Sequence, residues 1–327
     1  MSGYRVWGGY GFILIILVIG YQALYAQQGM AFSGILESAV STNYDDSLTY
    51  GVEQYANIRM QSRVGNNATF FGAVNLIAKN QAPTTLIELE RLYFRLNGET
   101  VNFDGGLMRL PFGYGQIWNP SDFINPKNPL LPNARPLAVL GAGLSWYPTD
   151  SFKFMEFAVA PNDSLQRDGI AGFLAEQHWD FASLQMLYAC EFADTSFHRI
   201  GVSFKADLEL SFVLDMLYTV SEELLFSAGF DYSMFSGNLI VLTEYFYNEA
   251  IKGKENNVYS GLTWRFSDYV SAGAALLYGI DDKSAVPIGT FNYDIFQGAG
   301  FSLIAQRPLN SDLPYDFNLE ARLKLRF

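Results

Sequence analysis

Two histidines are the residues of this chain that could act as imidazole bases in catalysis. His178 lies in the segment EQHWD and His198 in DTSFHR. A serine hydrolase needs such a base beside its nucleophile, and the partners meet in space rather than in sequence. Neither histidine is accompanied by a Ser-containing nucleophile elbow, and no group of Cys, His and carboxylates has metal-ligand spacing. We therefore expect no catalytic site, metal or cofactor, and a hydrolase is an alternative only.

The composition differs from that of a soluble domain. Charged residues make up 17% of the chain and aromatic residues 16%, whereas soluble domains have roughly 25% charged residues. Cys190 is the single cysteine, so no intramolecular disulfide can form. The net charge of −12 argues against nucleic acid as a partner. Much of the surface is therefore expected to face something other than water.

The first 26 residues have the pattern of a cleavable secretory signal. Arg5 precedes the apolar core FILIILVIG, and the segment ends on the small residue Ala26. These nine apolar residues are too few for a membrane-spanning helix, which needs about 20. We predict a signal peptide over 1–26 and a single domain over 27–327.

After Ala26, apolar and polar residues alternate in segments of about ten residues separated by turn residues. In RIGVSFKAD, for example, Ile200 and Phe204 share one face, while Arg199 and Lys205 share the other. The last segment, FNLEARLKLRF, keeps this alternation to the final residue. Such segments indicate a transmembrane β-barrel, in which one face of each strand contacts lipid and the other faces an aqueous lumen.

Short links rich in Gly, Asn, Asp and Pro alternate with longer links along the chain. GNN (65–67), NGET (97–100) and PTDS (148–151) are short, whereas TNYDDSL, PNDSLQRDG and 110–137 are longer. Outer-membrane barrels have short periplasmic turns and longer extracellular loops. We predict an all-β fold, a closed antiparallel barrel of about 18 strands with about 16 as the alternative. The stretch 110–137 is then the third extracellular loop.

The signal peptide, the alternating strands and the terminal aromatic residue resemble the porin-type outer-membrane β-barrel proteins of didermic bacteria. The resemblance covers essentially the whole chain after the signal peptide and identifies no subfamily. It implies an integral protein of the outer-membrane lipid bilayer, with a water-filled channel for passive diffusion of small hydrophilic solutes or ions. It also implies that the barrel-assembly machinery reads the last strand, where Leu323, Leu325 and Phe327 match the family pattern. Porins of this type are often homotrimers.

Similar porins fold their third extracellular loop into the lumen and narrow the pore. By this resemblance the candidate constriction residues are Arg109, Tyr114, Trp118, Asp122, Lys127 and Arg135. Independently, the alternation predicts a set of charged residues on the lumen side of their strands: Glu53, Arg59, Arg199, Lys205, Asp215, Asp231, Arg265, Glu320, Arg322 and Lys324. A loop outside the pore, and a closed surface-exposed barrel with a structural or adhesive role, are the alternatives.

Overall fold

A computed structural model of the chain describes residues 30–45, 47–80, 82–126, 137–162, 168–193, 196–311, 313 and 315–327. The predicted signal peptide and the candidate constriction residues Lys127 and Arg135 lie outside these ranges. In the part of the chain that is described, no helix is long and apolar enough to cross a membrane.

The described residues form one sheet of 18 strands, each antiparallel to its neighbours. The first strand also pairs with the last, so the sheet closes into a barrel. The bounds are β1 Met30–Asp45, β2 Ser47–Val64, β3 Ala68–Lys79, β4 Ala82–Asn97, β5 Val101–Met108, β6 Val139–Thr149, β7 Phe152–Val159, β8 Ile170–Trp179, β9 Ala182–Glu191, β10 Phe197–Asp207, β11 Ser211–Thr219, β12 Glu223–Met234, β13 Leu239–Asn248, β14 Asn256–Arg265, β15 Val270–Gly279, β16 Ala285–Phe296, β17 Ala299–Gln306 and β18 Phe317–Arg326. The predicted all-β closed barrel is confirmed, and the sixteen-strand alternative is wrong.

The barrel closes where β18 pairs with β1. The Gly34 amide donates to the Phe327 carbonyl at 2.8 Å, and the Phe327 amide donates to the Gly34 carbonyl at 3.1 Å. A Cβ atom at position 34 would clash with the Phe327 ring and lie 2.7 Å from the Asn57 carbonyl oxygen. Glycine at this position therefore leaves room for the final aromatic ring beside the seam. The register of this pairing places Ile35 opposite Arg326.

The links at the two ends of the barrel differ in length. One end has turns of two to four residues, namely 65–67, 98–100, 150–151, 180–181, 208–210, 235–238, 266–269 and 297–298. The other end carries the longest links, 109–138, 160–169 and 307–316. One predicted link, TNYDDSL, is wrong, because β1 continues to Asp45 and β2 begins at Ser47. The polar residues of this segment extend the pairing of the strands, and the side-chain amide of Asn318 donates to the side-chain oxygen of Asn43 at 2.6 Å.

The outer face of the barrel is apolar around its circumference. Large side chains at alternate strand positions, such as Leu262 on β14 and Leu319 on β18, are exposed. The candidate assembly residues Leu323, Leu325 and Phe327 lie on this face and are also exposed. An exposed apolar band on every side is what a sheet surrounded by lipid requires.

Glu156 on β7 interrupts this apolar band. Its cross-strand neighbours are Leu144 on β6 and Phe173 on β8, and both side chains are exposed. Phe154 and Ala158, two positions away on the same face of β7, are apolar as well. A carboxylate surrounded in this way loses hydration when lipid covers the face. Glu156 is therefore expected to cost stability in a bilayer.

We predict that Glu156→Leu raises the free energy of unfolding in phosphatidylcholine vesicles by about 1 kcal/mol. Basic residues on the lipid face cost roughly 2–4 kcal/mol at the midplane, and acidic residues cost less. Urea titration followed by tryptophan fluorescence measures the change. Glu53→Leu is the inner-face control and should destabilise, because it leaves Lys79 without its ion-pair partner at 3.2 Å. A Glu156→Leu barrel no more stable than wild type would contradict the prediction.

Candidate functional site

The segment that follows β5 runs into the barrel interior; we call residues 110–126 the inward loop. The Gly113 amide donates to Gln185 Oε1 at 2.9 Å. The Tyr114 hydroxyl donates to Glu176 Oε1 at 2.7 Å. Both acceptors belong to a cross-strand pair on the inner faces of β8 and β9. The inward loop therefore lies against the lumen wall rather than above the barrel.

The inward loop reaches its farthest point at β13. The amides of Gln116, Ile117 and Trp118 all donate to the carboxylate of Glu244, at 3.3, 3.0 and 2.8 Å. The Gln116 side chain also donates to Asp231 Oδ2 on β12 at 2.6 Å. From its origin at β5, the loop thus crosses the inner face of the barrel as far as β13.

The returning limb of the loop is held by β10 and β11. The Ser121 amide donates to Asp215 Oδ1 at 3.1 Å, and the Ser121 hydroxyl also donates to this oxygen. The Ser203 hydroxyl donates to the Ser121 oxygen at 3.1 Å. Within the loop, the Asn119 side chain donates to the Phe112 carbonyl at 2.7 Å and so joins the two limbs. Asp215 is fully buried by these contacts.

Two glycines allow the two limbs to approach each other. Gly113 has φ of +72°, and an added Cβ would collide with the side-chain oxygens of Asn119 and Asp215. A Cβ at Gly115 would collide with the Trp118 carbonyl. Because a β-carbon fits at neither position, the close approach of the two limbs requires glycine at both.

An apolar cluster lies between the inward loop and the wall. Phe112 and Ile124 contribute from the loop and are 1% and 2% exposed. The Phe112 ring packs on Phe157 of β7 at 4.9 Å between centroids. The other members are Met108, Leu110, Val139, Met155, Val159, Ile170, Leu174, Leu187 and Ala189. The loop therefore covers an apolar part of the inner wall formed by β6 to β9.

The described candidate constriction residues have different environments. Tyr114 is half-buried, and burial together with Glu176 raises the pKa of its hydroxyl. Trp118 is buried and stacks on Phe246 of β13 at 5.2 Å. Asp122 is buried too, and it accepts a hydrogen bond from the Asn125 amide at 3.2 Å. These three side chains secure the inward loop against itself and the wall.

Arg109 directly precedes the inward loop and lies in a group of arginines around the carboxylate of Glu90. It donates to Glu90 at 2.7 Å, and Arg91 lies 3.3 Å from the same carboxylate. Burial lowers the pKa of Arg109; Glu90 opposes this effect, and the nearby positive charges of Arg91 and Arg59 add to it. We call Arg59, Arg91 and Arg109 the arginine cluster.

Alternation alone does not predict that Glu90 and Arg91 both face the lumen, because consecutive strand residues normally point to opposite faces. A register shift between Ala73 and Val74 in the pairing of β3 with β4 makes Glu90 an extra residue. Bulges of this kind redirect side chains, and both residues contact lumen partners, Asn57 in one case and the Phe71 ring at 4.6 Å in the other. The sequence signal for this bulge is the pair of adjacent charged residues in the middle of β4.

The remaining predicted lumen residues share the inner face through the strand register. Most of them are paired with neighbours there. The pairs are Glu53 with Lys79 at 3.2 Å, Lys205 with Asp207 at 3.0 Å, Arg199 with Glu191, Glu320 with Arg322 at 2.9 Å, and Glu37 with both Arg322 at 2.6 Å and Lys324 at 3.0 Å. Arg265 is exposed. Asp215 and Asp231 bind the inward loop instead.

A cavity of about 1060 Å³ opens at the end of the barrel with the short turns. Charged side chains of both signs line it, including Glu37, Asp268, Asp294, Lys324 and Arg326. Charges at this density require water around them. The interior on this side is therefore aqueous, in contrast to the apolar cluster beneath the inward loop.

The two histidines have different surroundings. His178 Nδ1 is 2.9 Å from the Ser183 hydroxyl, but His178 Nε2 is 3.5 Å from Glu176. This second contact is too long for the charge-assisted hydrogen bond that orients a catalytic imidazole. Glu176 already accepts hydrogen bonds from Tyr114 and Gln185. His198 lies at 2.8 Å from the Tyr188 hydroxyl, opposite the half-buried Cys190.

A closed 18-stranded barrel with an apolar exterior and a loop folded inside defines the class of porin-like membrane barrels. No family model and no curated protein matches the chain significantly. Solved structures do: OccAB4 of Acinetobacter baumannii has a TM-score of 0.65 and 10% identity, over 92% of this chain and 98% of that one. OccD3 (OpdP) of Pseudomonas aeruginosa has a TM-score of 0.63 and 12% identity, over 92% and 91%.

A triple mutant of the Rhodopseudomonas blastica porin is also similar, with a TM-score of 0.54 and 11% identity over 91% of this chain and 100% of that one. At these identities, the similarity establishes the fold. The chain has the porin fold over nearly its whole length.

We predict that Phe112→Ala releases the inward loop while the barrel stays closed. Replacing a buried phenylalanine by alanine costs about 3–5 kcal/mol, and here the loss falls on the contact between loop and wall. Limited proteolysis of the folded protein should then cut within 110–126, and the barrel should keep its heat-dependent mobility in gels. Phe291→Ala, on the exposed outer face, is the control. Equal resistance of Phe112→Ala and wild type would contradict the prediction.

Proposed function

We propose that the chain is an outer-membrane porin that forms a water-filled channel for passive diffusion of small hydrophilic solutes or ions. The observation that carries this proposal is the closed 18-stranded barrel with an apolar exterior and charged interior. Barrels of about 16–18 strands are too wide for wall side chains to fill and leave an aqueous channel. The barrel lies in the outer-membrane lipid bilayer, and the barrel-assembly machinery would read Leu323, Leu325 and Phe327. A homotrimer is the assembly that the porin resemblance implies.

The inward loop is the proposed constriction of this channel. It covers the inner wall from β6 to β13 through contacts with Gln185, Asp215 and Glu244. The passage then runs between the loop and the uncovered wall formed by β14 to β18 and β1 to β4. A solute that crosses the barrel would pass the arginine cluster on that wall.

The charges that a solute meets in this passage are mainly positive. Asp215 and Glu244 are buried beneath the inward loop, where backbone amides of the loop donate hydrogen bonds to them. The arginine cluster has three positive charges beside Glu90. Selectivity depends on such local charges rather than on the net charge of the chain. We propose that the channel prefers small anions over cations.

We predict stepwise ohmic conductance in planar bilayers, with a reversal potential in a KCl gradient that indicates anion preference. Replacing both Arg59 and Arg109 by alanine should shift this potential toward that of a cation-preferring channel, because two of the three clustered charges are lost. Lys252→Ala, which removes a charge from the extracellular link 249–255, should leave the potential unchanged. Folded protein without conductance would contradict the channel and favour the closed structural barrel. An unchanged potential in the double variant would contradict the selectivity.

A further inference from the structure

Glu244 has an unusual set of partners for a carboxylate on a barrel wall. Three consecutive backbone amides, those of residues 116–118, converge on its two oxygens at 2.8–3.3 Å. Its side chain is 1% exposed. Successive amides aimed at one point form an anion-binding concavity of the kind that holds phosphates and carboxylates. The tip of the inward loop thus forms an anion site, and the carboxylate of Glu244 on the barrel wall occupies it.

The surroundings of Glu244 are built for this contact. Gly229 is its cross-strand neighbour on β12, and an added Cβ there would lie 3.0 Å from the Glu244 Cγ atom. Phe246, the next inward residue on β13, stacks on the loop residue Trp118 with an interplanar angle of 9°. The carboxylate therefore has one orientation, with an aromatic contact beside it.

Loss of the carboxylate would leave three converging donors without their acceptor. The donors cannot pair with one another, since all three are N–H groups, so the loop tip gains by turning toward water. The tip is the part of the inward loop farthest from β5, where the loop begins. Its release would widen the passage between the loop and the uncovered wall.

We infer that Glu244 is the positioning residue that sets the size limit of the channel, by acting as a fixed anion in the amide concavity of the loop tip. This inference rests on the proposed channel function. The width of the passage then depends on one carboxylate on β13, eight strands after β5, where the loop begins. In a variant that lacks Glu244, small carboxylates can occupy the amide concavity.

The test compares Glu244→Ala, Glu244→Gln and wild type in planar bilayers, after gels and circular dichroism confirm folded barrels. Glu244→Ala should increase single-channel conductance, add rapid current fluctuations and admit larger uncharged polyethylene glycols. Glu244→Gln keeps one acceptor oxygen and should give an intermediate value. Adding acetate to Glu244→Ala should bring conductance back toward the wild-type value, relative to chloride at equal ionic strength. Glu156→Ala removes the same charge from the outer face and should match wild type.

Gly229→Ala provides a second variant if Glu244→Ala does not fold, since its added Cβ presses on the Thr243 carbonyl and on the Glu244 stem while the carboxylate is kept. It should also raise conductance. Conductance and polymer exclusion at wild-type values in the Glu244 variants would overturn the inference while leaving the channel function intact. A raised conductance that acetate does not reduce would overturn the anion-site explanation. If wild type itself does not conduct, the proposed function fails instead.

Discussion

The pairing of β1 with β18 is the interaction on which the rest of this structure depends. An open sheet in a bilayer would leave a row of N–H and C=O groups in hydrocarbon, at a cost of several kcal/mol each. Closure removes both edges, and the final residue takes part in it through the two hydrogen bonds between Gly34 and Phe327. Once the sheet is closed, each strand has one face toward lipid and one toward the interior, and the alternation of residue types follows.

Closure at 18 strands creates a second requirement, because the interior is wider than two opposing layers of side chains. The inward loop meets this requirement on one side. Phe112 and Ile124 form an apolar core with β6 to β9, much as in a soluble protein, and buried acidic residues bind the loop backbone around that core. The other side of the interior remains polar. The barrel therefore contains a packed half and an aqueous half.

This division explains which parts of the fold could be predicted from the sequence. The strands β10, β11 and β18 alternate clearly, because lipid covers one face and polar surroundings the other. In β7 to β9, residues such as Phe157, Leu174 and Leu187 make the inner face apolar as well, so alternation is weak there. The bulge at Glu90 shifts the alternation by one residue. Alternation could assign Asp215 to the inner face, but its contact with Ser121 depends on how a distant loop folds.

Because of this division, the net charge of the chain differs from the charge that faces the proposed passage. The sequence has a net charge of −12, which by itself would suggest an acidic channel. However, the loop buries Asp215 and Glu244 completely or almost completely, and backbone amides of the loop donate hydrogen bonds to both. A carboxylate held in this way serves as an attachment point for the loop and contributes little field to the water beyond it. The arginine cluster faces no loop of this kind among the described residues, so we expect its positive charge to act directly on the proposed passage.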